Sequence, residues 1–217
     1  MTLFMLAVLV GLGSWQLHRL AWKEVLLARI AAAERAPAAP LAENPAPFAK
    51  VRLSGRWRPD LSAWYGVEVR DTPNGPRMGA QLVEPLERAD AAPVLVDRGW
   101  APTEGAAAMG SADGAATVEG FVLPAANPGW FTPKDDIAAR RFYTLDPRAI
   151  GAALRLPAVA PFTVVAMGPA SPSSFPEPAQ HLPRPPNNHF SYAMIWFGLA
   201  GALVWIFLDW SWQALSK

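Results

Sequence analysis

The stretch Asn187-Asn188-His189-Phe190-Ser191-Tyr192 runs directly into an apolar segment that continues to Trp210. Positions 193–207 hold no charged residue, and the apolar run lasts for about the length that a bilayer core requires. Tryptophans gather toward its far end, as in the aromatic belt of a membrane interface: Trp205, Trp210 and Trp212. The pattern predicts a membrane-spanning helix over 189–210, followed by a tail over 211–217. The alternative is a buried helix of a soluble protein.

A second apolar run, from Leu3 to Leu17, lies near the other end of the chain and is short for a full crossing. Three explanations stay open. Arg19 and Lys23 can snorkel and let the helix sit deeper, or the sequence as given can begin inside the helix. The third is a signal peptide cleaved near Ala33, although a basic n-region is missing. We predict a span over 1–17 and a helical extension over 18–36.

Each apolar run contains two small residues four positions apart, Ala7 with Gly11 and Gly198 with Ala202. Such pairs let the backbones of two membrane helices approach closely. The two pairs are therefore consistent with two close-packed helices.

Composition places the chain between two classes of protein. With 52% hydrophobic and 17% charged residues, its 217 residues are too apolar for an ordinary soluble domain and too polar for a polytopic transporter. A net charge of +1 gives no electrostatic reason to expect a nucleic-acid partner. The sequence has no cysteine, which excludes disulfides, thiol redox chemistry, thiolate metal sites and covalent haem attachment.

The residues between the two runs suffice for one folded domain, which we place at 37–168. Seven short strand-like runs follow one another, separated by turn signals such as the one at 72–75: 48–57, 63–69, 78–86, 93–100, 116–123, 142–145 and 161–167. Asp146 and Pro147 predict the capped start of a short helix that continues to Leu154. The fold class is thus an α+β membrane protein, with two transmembrane helices flanking an antiparallel β-rich domain or small barrel. A proline-dense connector, 169–188, leads to the second span.

Catalytic signatures are missing from the sequence, which has no G-x-S-x-G, P-loop, H-E-x-x-H or dinucleotide fingerprint. Three histidines leave little for a metal centre or a triad, and Asp71, Asp135 and Asp136 are typical of turns and caps. We expect a protein that is not an enzyme. Charge leaves the orientation open, because the cations that follow the first span favour a cytoplasmic domain but long loops cross membranes largely regardless of charge.

Three segments carry a resemblance to a known family. LGSWQLHRLAWK (12–23), VLVDRGWAP (94–102) and NNHFSYA (187–193) resemble the three landmark motifs of the Surfeit locus protein 1 family, in the family's order and across essentially the whole chain. Segments 79–85 and 127–130 resemble weaker landmarks. Asp97 departs from the pattern, because asparagine is usual at this position.

The resemblance implies a two-span inner-membrane protein with both termini inside and its central domain in the periplasm or intermembrane space. Such proteins assist the assembly of haem–copper terminal oxidases, and bacterial members are thought to hold haem a and help supply it. The implied partners are the oxidase catalytic subunit or its assembly intermediate, the haem a synthesis machinery and the lipid bilayer. Without a mitochondrial presequence in the sequence given, we expect the bacterial plasma membrane.

If haem a binds, the residues suggest where. His189 would be the axial ligand of the haem iron, with Tyr192, Ala193 and Trp196 on the same helix face at i+3, i+4 and i+7. Ala193 would leave a gap for the ring, and Trp196 could stack on it. The alternative is that His189 and the two asparagines before it simply cap the helix at the interface.

A chain that leaves the membrane and returns places the end of the first span at the depth of His189. Arg19 could there pair with a haem propionate, or else with lipid phosphates, and His18 could be a second axial ligand. Trp15 and Trp22 are typical interface anchors. Candidates for contact with a partner protein come from the first two motifs: Trp15, Gln16, Arg98, Gly99 and Trp100.

Other functions remain possible for these motif residues. Trp100 can instead fill the core, and Arg98 can pair with Glu84 or Asp97 or face the oxidase. The alternative function for the whole protein is a membrane-anchored scaffold that binds an oxidase subunit without carrying a cofactor.

Overall fold

The computed structural model describes residues 1–72, 75–103, 114–169 and 175–216. The chain divides into two compact units. Unit 1 consists of Met1–Ala32 and Pro183–Lys217, and unit 2 consists of Ala33–Leu182. The predicted turn residues 73–74 and connector residues 170–174 lie outside the described residues.

Unit 1 is built from two long helices, α1 (Thr2–Arg35) and α3 (His189–Leu215), of which α1 runs on into the first residues of unit 2. Both are long and apolar enough to cross a membrane. A helix of 34 residues is roughly 50 Å long, whereas a bilayer core is about 30 Å thick. The apolar first part of α1 can therefore span while its charged second part extends beyond. Where the membrane boundary falls along α1 stays a prediction.

The contact between α1 and α3 uses other residues than the small pairs expected from the sequence. Gly13 is buried, and a Cβ atom at this position would lie 2.7 Å from the ring of Phe197. Neither Gly11 nor Gly198 has a neighbouring atom within 4 Å of the equivalent position. The two helices are close-packed, as the small pairs suggested, but the contact uses Gly13 instead of these glycines, because a pattern of small residues does not reveal which helix face turns inward. Gly13 lies two positions, or about 200°, around the helix from Gly11.

Among the described residues of unit 2, the chain forms eight strands and one further α-helix. The strands are β1 (Ala39–Pro40), β2 (Lys50–Trp57), β3 (Ala63–Thr72), β4 (Gly75–Arg88), β5 (Ala91–Pro102), β6 (Ala115–Pro124), β7 (Arg141–Phe142) and β8 (Phe162–Ala166). A 3-10 turn, Pro59–Leu61, precedes β3, and α2 (Pro147–Ala153) follows β7. All seven predicted strands are present with shifted ends, and β1 was not predicted.

The strands form one sheet in the order β1-β2-β6-β8-β5-β4-β3-β7. An additional pairing of β2 with β4 closes a five-stranded ring, β2-β6-β8-β5-β4. The sheet is mixed, so the prediction of an antiparallel sheet is wrong in part: β1–β2, β3–β7 and β5–β8 are parallel pairs. Long connections make this possible, since β6, β7 and α2 all lie between β5 and β8 in the chain.

Two apolar clusters form the core of unit 2. The first lies inside the ring and includes Leu53, Leu86 and Val164. The second packs Ile150 of α2 against Leu95 and neighbouring strand residues. The cap predicted for α2 is present, because the carboxylate of Asp146 accepts a hydrogen bond from the backbone N–H of Arg148 at 2.9 Å.

The connector after β8 packs on the sheet in its described part. Within residues 175–182, the backbones of Glu177 and Trp100 of β5 exchange two hydrogen bonds of 3.0 and 2.8 Å, and Ala179 pairs with the chain at the end of β8. Gly99 permits this approach, because it has φ +119° and a Cβ atom would lie 1.9 Å from the carbonyl oxygen of Glu177. Leu182, at the end of this segment, is fully buried. We call residues 175–182 the strap.

The strap should detach when Gly99 is replaced. Gly99→Ala adds a methyl group that collides with the backbone of Glu177, so we expect a loss of at least about 3 kcal/mol in the free energy of unfolding. Gly66→Ala is the matched control, since Gly66 also has positive φ (+69°) but open space around it, and it should cost only about 1 kcal/mol. Thermal unfolding of the detergent-solubilised variants measures both. Equal midpoints for the two would contradict the close approach.

Candidate functional site

The side chain of His189 lies at the first residue of α3 and contacts α1. Its Nδ1 is 2.7 Å from Oε1 of Gln16, and the contact is partly buried. An amide oxygen only accepts, so Nδ1 must carry the proton. In the neutral ring, Nε2 is then left with a free lone pair, which is the state in which imidazole binds a metal ion. Gln16 thus fixes both the tautomer and the ring orientation of His189.

The start of α3 lacks a side-chain cap. Asn188 occupies the N-cap position, but its side chain makes no capping hydrogen bond. Asn187 Oδ1 is buried and has no hydrogen-bond partner within the described part of the chain. The alternative in which both asparagines cap the helix is therefore not what the structure has. The first N–H groups of α3 and the positive end of its dipole remain available to an anionic group.

The other residues predicted on this face differ in exposure. Tyr192 is 53% exposed and Trp196 is half-buried, so both offer aromatic surface near His189. Ala193 is 1% exposed. It is therefore covered, and the open gap expected beside it is not present.

His18 and Arg19 do not join His189 in the way the sequence suggested. His18 is exposed, and its Nδ1 lies 2.9 Å from the carbonyl oxygen of Ser14 in its own helix. Residues two positions apart on a helix point about 200° away from each other, so His18 turns away when Gln16 faces α3. The guanidinium of Arg19 lies over the ring of Trp22, 4.7 Å from its centroid. A second axial ligand from His18 finds no support here.

Sequence reasoning proposed Gln16 only as a partner-contact residue and missed its bond to His189. The depth of the α1 end was inferred from the reversal of the chain, but the rotation of the helix was not considered. A signal was available, because Gln16 is one of few polar residues in the apolar run that ends at Leu17. Trp15 and Trp22 are both about half exposed, at 54% and 53%, as interface anchors would be.

The second motif lies inside unit 2. Arg98 donates to Glu84 at 2.7 Å, with side chains only 16% and 4% exposed, and its guanidinium lies over the ring of Trp57. Of the alternatives predicted for Arg98, the structure has the ion pair with Glu84. Glu84 is held from a second side by the hydroxyl of Ser62.

Trp100 fills the core, with 1% of its surface exposed. Its ring meets the edge of Phe175 in the strap, carries the guanidinium of Arg70 on one face and donates from Nε1 to the carbonyl oxygen of Glu68. The contacts of Trp100, and those of Gly99 with the strap, stabilise the packing within unit 2. They present little free surface to a partner.

Within the residues that the structure describes, no three His, Cys, Asp or Glu side chains gather in a way that could hold a metal ion. Among these residues, His189 is therefore not part of a cluster of three or more such ligands.

Comparison with known proteins gives the family. The model of the SURF1 family, the Surfeit locus protein 1 family, matches residues 3–201. The chain belongs to the SURF1 family. It is 30% identical to a SURF1-like protein of Rickettsia felis over 209 residues, covering 93% of this chain and 91% of the relative. Two further SURF1-like proteins are similar: that of Rickettsia conorii is 30% identical (93% and 85% covered), and that of Monosiga brevicollis is 28% identical (93% and 83% covered).

Asp97, the departure from the SURF1 motif, is a buried carboxylate. It is 6% exposed, and its Oδ1 accepts a hydrogen bond from the backbone N–H of Gly99 at 2.9 Å. Burial raises the pKa of the Asp97 carboxyl to about 7, although the Gly99 N–H and the charge of Arg70 act in the opposite direction. An asparagine here would accept the same hydrogen bond without the cost of a buried charge.

Asp97→Asn should therefore stabilise the protein in a pH-dependent way. The pKa of Asp97 is higher in the folded than in the unfolded chain. Its contribution to the free energy of unfolding is therefore fully present below about pH 4 and is lost as the pH rises to about 7. The variant lacks this loss. We expect it to match the wild type near pH 4 and to exceed it by roughly 2–4 kcal/mol at pH 8.

Unfolding midpoints measured across pH 4 to pH 8 would show this difference as a gap between the two proteins that widens with pH. The exposed Asp90, replaced in the same way in the β4–β5 turn, controls for the loss of one carboxylate. Parallel curves for wild type and Asp97→Asn would contradict the buried-carboxylate explanation.

Proposed function

We propose that this SURF1-family protein is an assembly factor for a haem–copper terminal oxidase, and that it holds haem a through His189 and helps deliver it to the catalytic subunit. The observation that carries the proposal is the bond between His189 and Gln16, which leaves Nε2 free as a ligand. Membership of the SURF1 family supports the role in oxidase assembly, and the two candidate membrane spans support a location in a membrane.

The residues around His189 fit such a ligand in several respects. Haem is a flat apolar ring with one anionic edge, and its iron takes an axial nitrogen. His189 would supply the nitrogen, while Tyr192 and Trp196 offer aromatic surface to the ring. The uncapped start of α3 suits an anionic group, and the buried Asn187 Oδ1 is an acceptor that a donor of the ligand could meet. Arg19 is exposed, three residues after Gln16 in α1, and could pair with a propionate.

Haem a would be cargo here, and it supplies its redox chemistry only after transfer to the oxidase. The protein has to hold the ring and release it. One imidazole ligand suits this task, because a second Fe–N bond would also have to break before transfer. Gln16 would act through His189 by keeping its Nδ1 protonated.

The proposed setting is the bacterial plasma membrane, with α1 and α3 spanning it and unit 2 in the periplasm. In this setting the protein would meet the oxidase catalytic subunit, or an assembly intermediate of it, and the haem a synthesis machinery. The support is the SURF1 family relationship together with the two candidate spans.

A visible spectrum of the purified protein tests the haem site. Wild type, solubilised in detergent from a host that makes haem a, should show a Soret band, and His189→Ala should lose most of it because the axial nitrogen is gone. His18→Ala is the matched control, since His18 is also a histidine near the outer end of a candidate span but bonds to its own helix. Its Soret band should stay at the wild-type level.

Two results would contradict this account. One is a colourless wild-type protein from such a host, and the other is an equal loss of the band in both histidine variants. If oxidase copurifies equally with wild type and His189→Ala while neither carries haem, the protein is instead a scaffold without a cofactor.

Gln16 gives a second, graded test. Gln16→Leu removes the acceptor for Nδ1–H and should weaken haem binding about 10- to 100-fold, as loss of a partner of a metal-ligating histidine does. Titration of haem into the apoprotein, followed by absorbance, measures the affinity. Gln213→Leu is the control, because Gln213 is exposed near the end of α3 and bonds to Asp209. Unchanged affinity in Gln16→Leu would remove Gln16 from the site.

A further inference from the structure

Two large aromatic side chains in unit 2 are almost fully exposed and adjacent. Trp130 is 95% exposed and Phe131 is 92% exposed. Single apolar residues on a surface are ordinary, but two neighbouring aromatic rings in water are costly unless something covers them. They lie between β6 and β7, far in sequence from His189.

These rings are held outward by a formed turn. The backbone N–H of Thr132 donates to the carbonyl oxygen of Gly129 at 3.1 Å, and the Thr132 hydroxyl accepts from the Gly129 N–H at 2.7 Å. Trp130 and Phe131 thereby occupy the two central positions of a four-residue turn. Such positions usually hold glycine, asparagine, aspartate or proline, so aromatic residues here call for an explanation. We name residues 129–132 the aromatic turn.

The base of the loop is fixed to unit 2 on both sides of the aromatic turn. On the N-terminal side, the N–H of Ala126 donates to the carbonyl oxygen of the buried Leu145 at 3.0 Å. On the C-terminal side, the N–H of Tyr143 donates to the carboxylate of Asp135 at 2.7 Å, and Asp136 exchanges two backbone hydrogen bonds with Arg141. The exposure of the rings is therefore built into the loop.

Strand register within unit 2 shows at which end of the sheet the loop begins. β1 is parallel to β2, and β2 is antiparallel to β6. The first residue of β1 and the last residue of β6 therefore lie at the same end of the sheet. The chain enters β1 only a few residues after α1 ends at Arg35, and it leaves β6 at Pro124 toward the aromatic turn.

We propose that the aromatic turn inserts into the interface of the membrane that holds this protein, so that Trp130 and Phe131 dock unit 2 on the bilayer. Tryptophan and other amphipathic rings favour the headgroup level of a bilayer. Lys134, two residues after the turn, supplies a cation for lipid phosphates, while the carboxylates of Asp135 and Asp136 accept hydrogen bonds from the backbone N–H groups of Tyr143 and Ala139.

A bilayer is favoured over a protein as the occupant because α1 and α3 are long and apolar enough to keep the chain attached to one. The inference rests on membrane attachment alone and is independent of whether His189 binds haem.

The absence of cysteine makes a direct test possible. Phe131→Cys, labelled with a nitroxide in the full-length chain, is reconstituted into vesicles of phosphatidylethanolamine and phosphatidylglycerol. Collision with oxygen, which concentrates in the bilayer, is compared with collision with a water-soluble nickel chelate. Val69→Cys, labelled alike, is the control, because Val69 is an apolar residue of β3 that is also largely exposed (62%).

The label at position 131 should show a ratio of oxygen to nickel accessibility several-fold higher than the label at position 69. An equal, water-like ratio at both positions would overturn the proposal. Exclusion of both reagents from position 131 would also overturn it, since the turn would then be buried against protein, such as a second copy of the chain. Trp130→Cys repeats the measurement at the neighbouring ring and should give the same result.

Discussion

The hydrogen bond between His189 Nδ1 and Gln16 Oε1 joins the two helices that are long and apolar enough to cross a membrane. In an apolar surrounding, an imidazole or amide without a partner is costly, so such a bond selects the faces that two helices turn toward each other. Gly13, one turn before Gln16 on the same face, meets Phe197, which lies further along α3 than His189. The two contacts run in opposite directions along the helices, as an antiparallel pair requires, and they leave Nε2 of His189 free.

Much of this arrangement could be predicted, but the rotation of the helices could not. Apolar run length identified both long helices as candidate spans, and the return of the chain predicted that His189 lies near the end of the first one. Depth alone does not distinguish position 16 from position 18, whereas helical geometry separates them by about 200°. For the same reason the small pairs could not show which residues make the close contact, since small size permits contact without specifying it, and neither Gly11 nor Gly198 takes part.

In unit 2, alternation and turn residues located the strands and Asp146 located the cap of α2, because these are local signals. Strand direction is not local, and the parallel pairing of β5 with β8 depends on how β6, β7 and α2 are arranged between them. In the structure, the motif at 94–102 stabilises unit 2. Gly99 and Trp100 contact the strap, and Arg98 neutralises Glu84. By contrast, the sequence alone did not indicate that the side chains of Trp130 and Phe131 are exposed.

The state of the His189 ring is the most direct test of the helix contact. The chain has three histidines, so nitrogen NMR of the histidine-labelled, haem-free protein in lipid can resolve and assign every ring by single substitutions. We predict that His189 carries its proton on Nδ1 with Nε2 bare, and that its signals shift in Gln16→Leu while those of His18 do not. A proton on Nε2 of His189 would contradict the account, and so would His189 signals that do not change in Gln16→Leu.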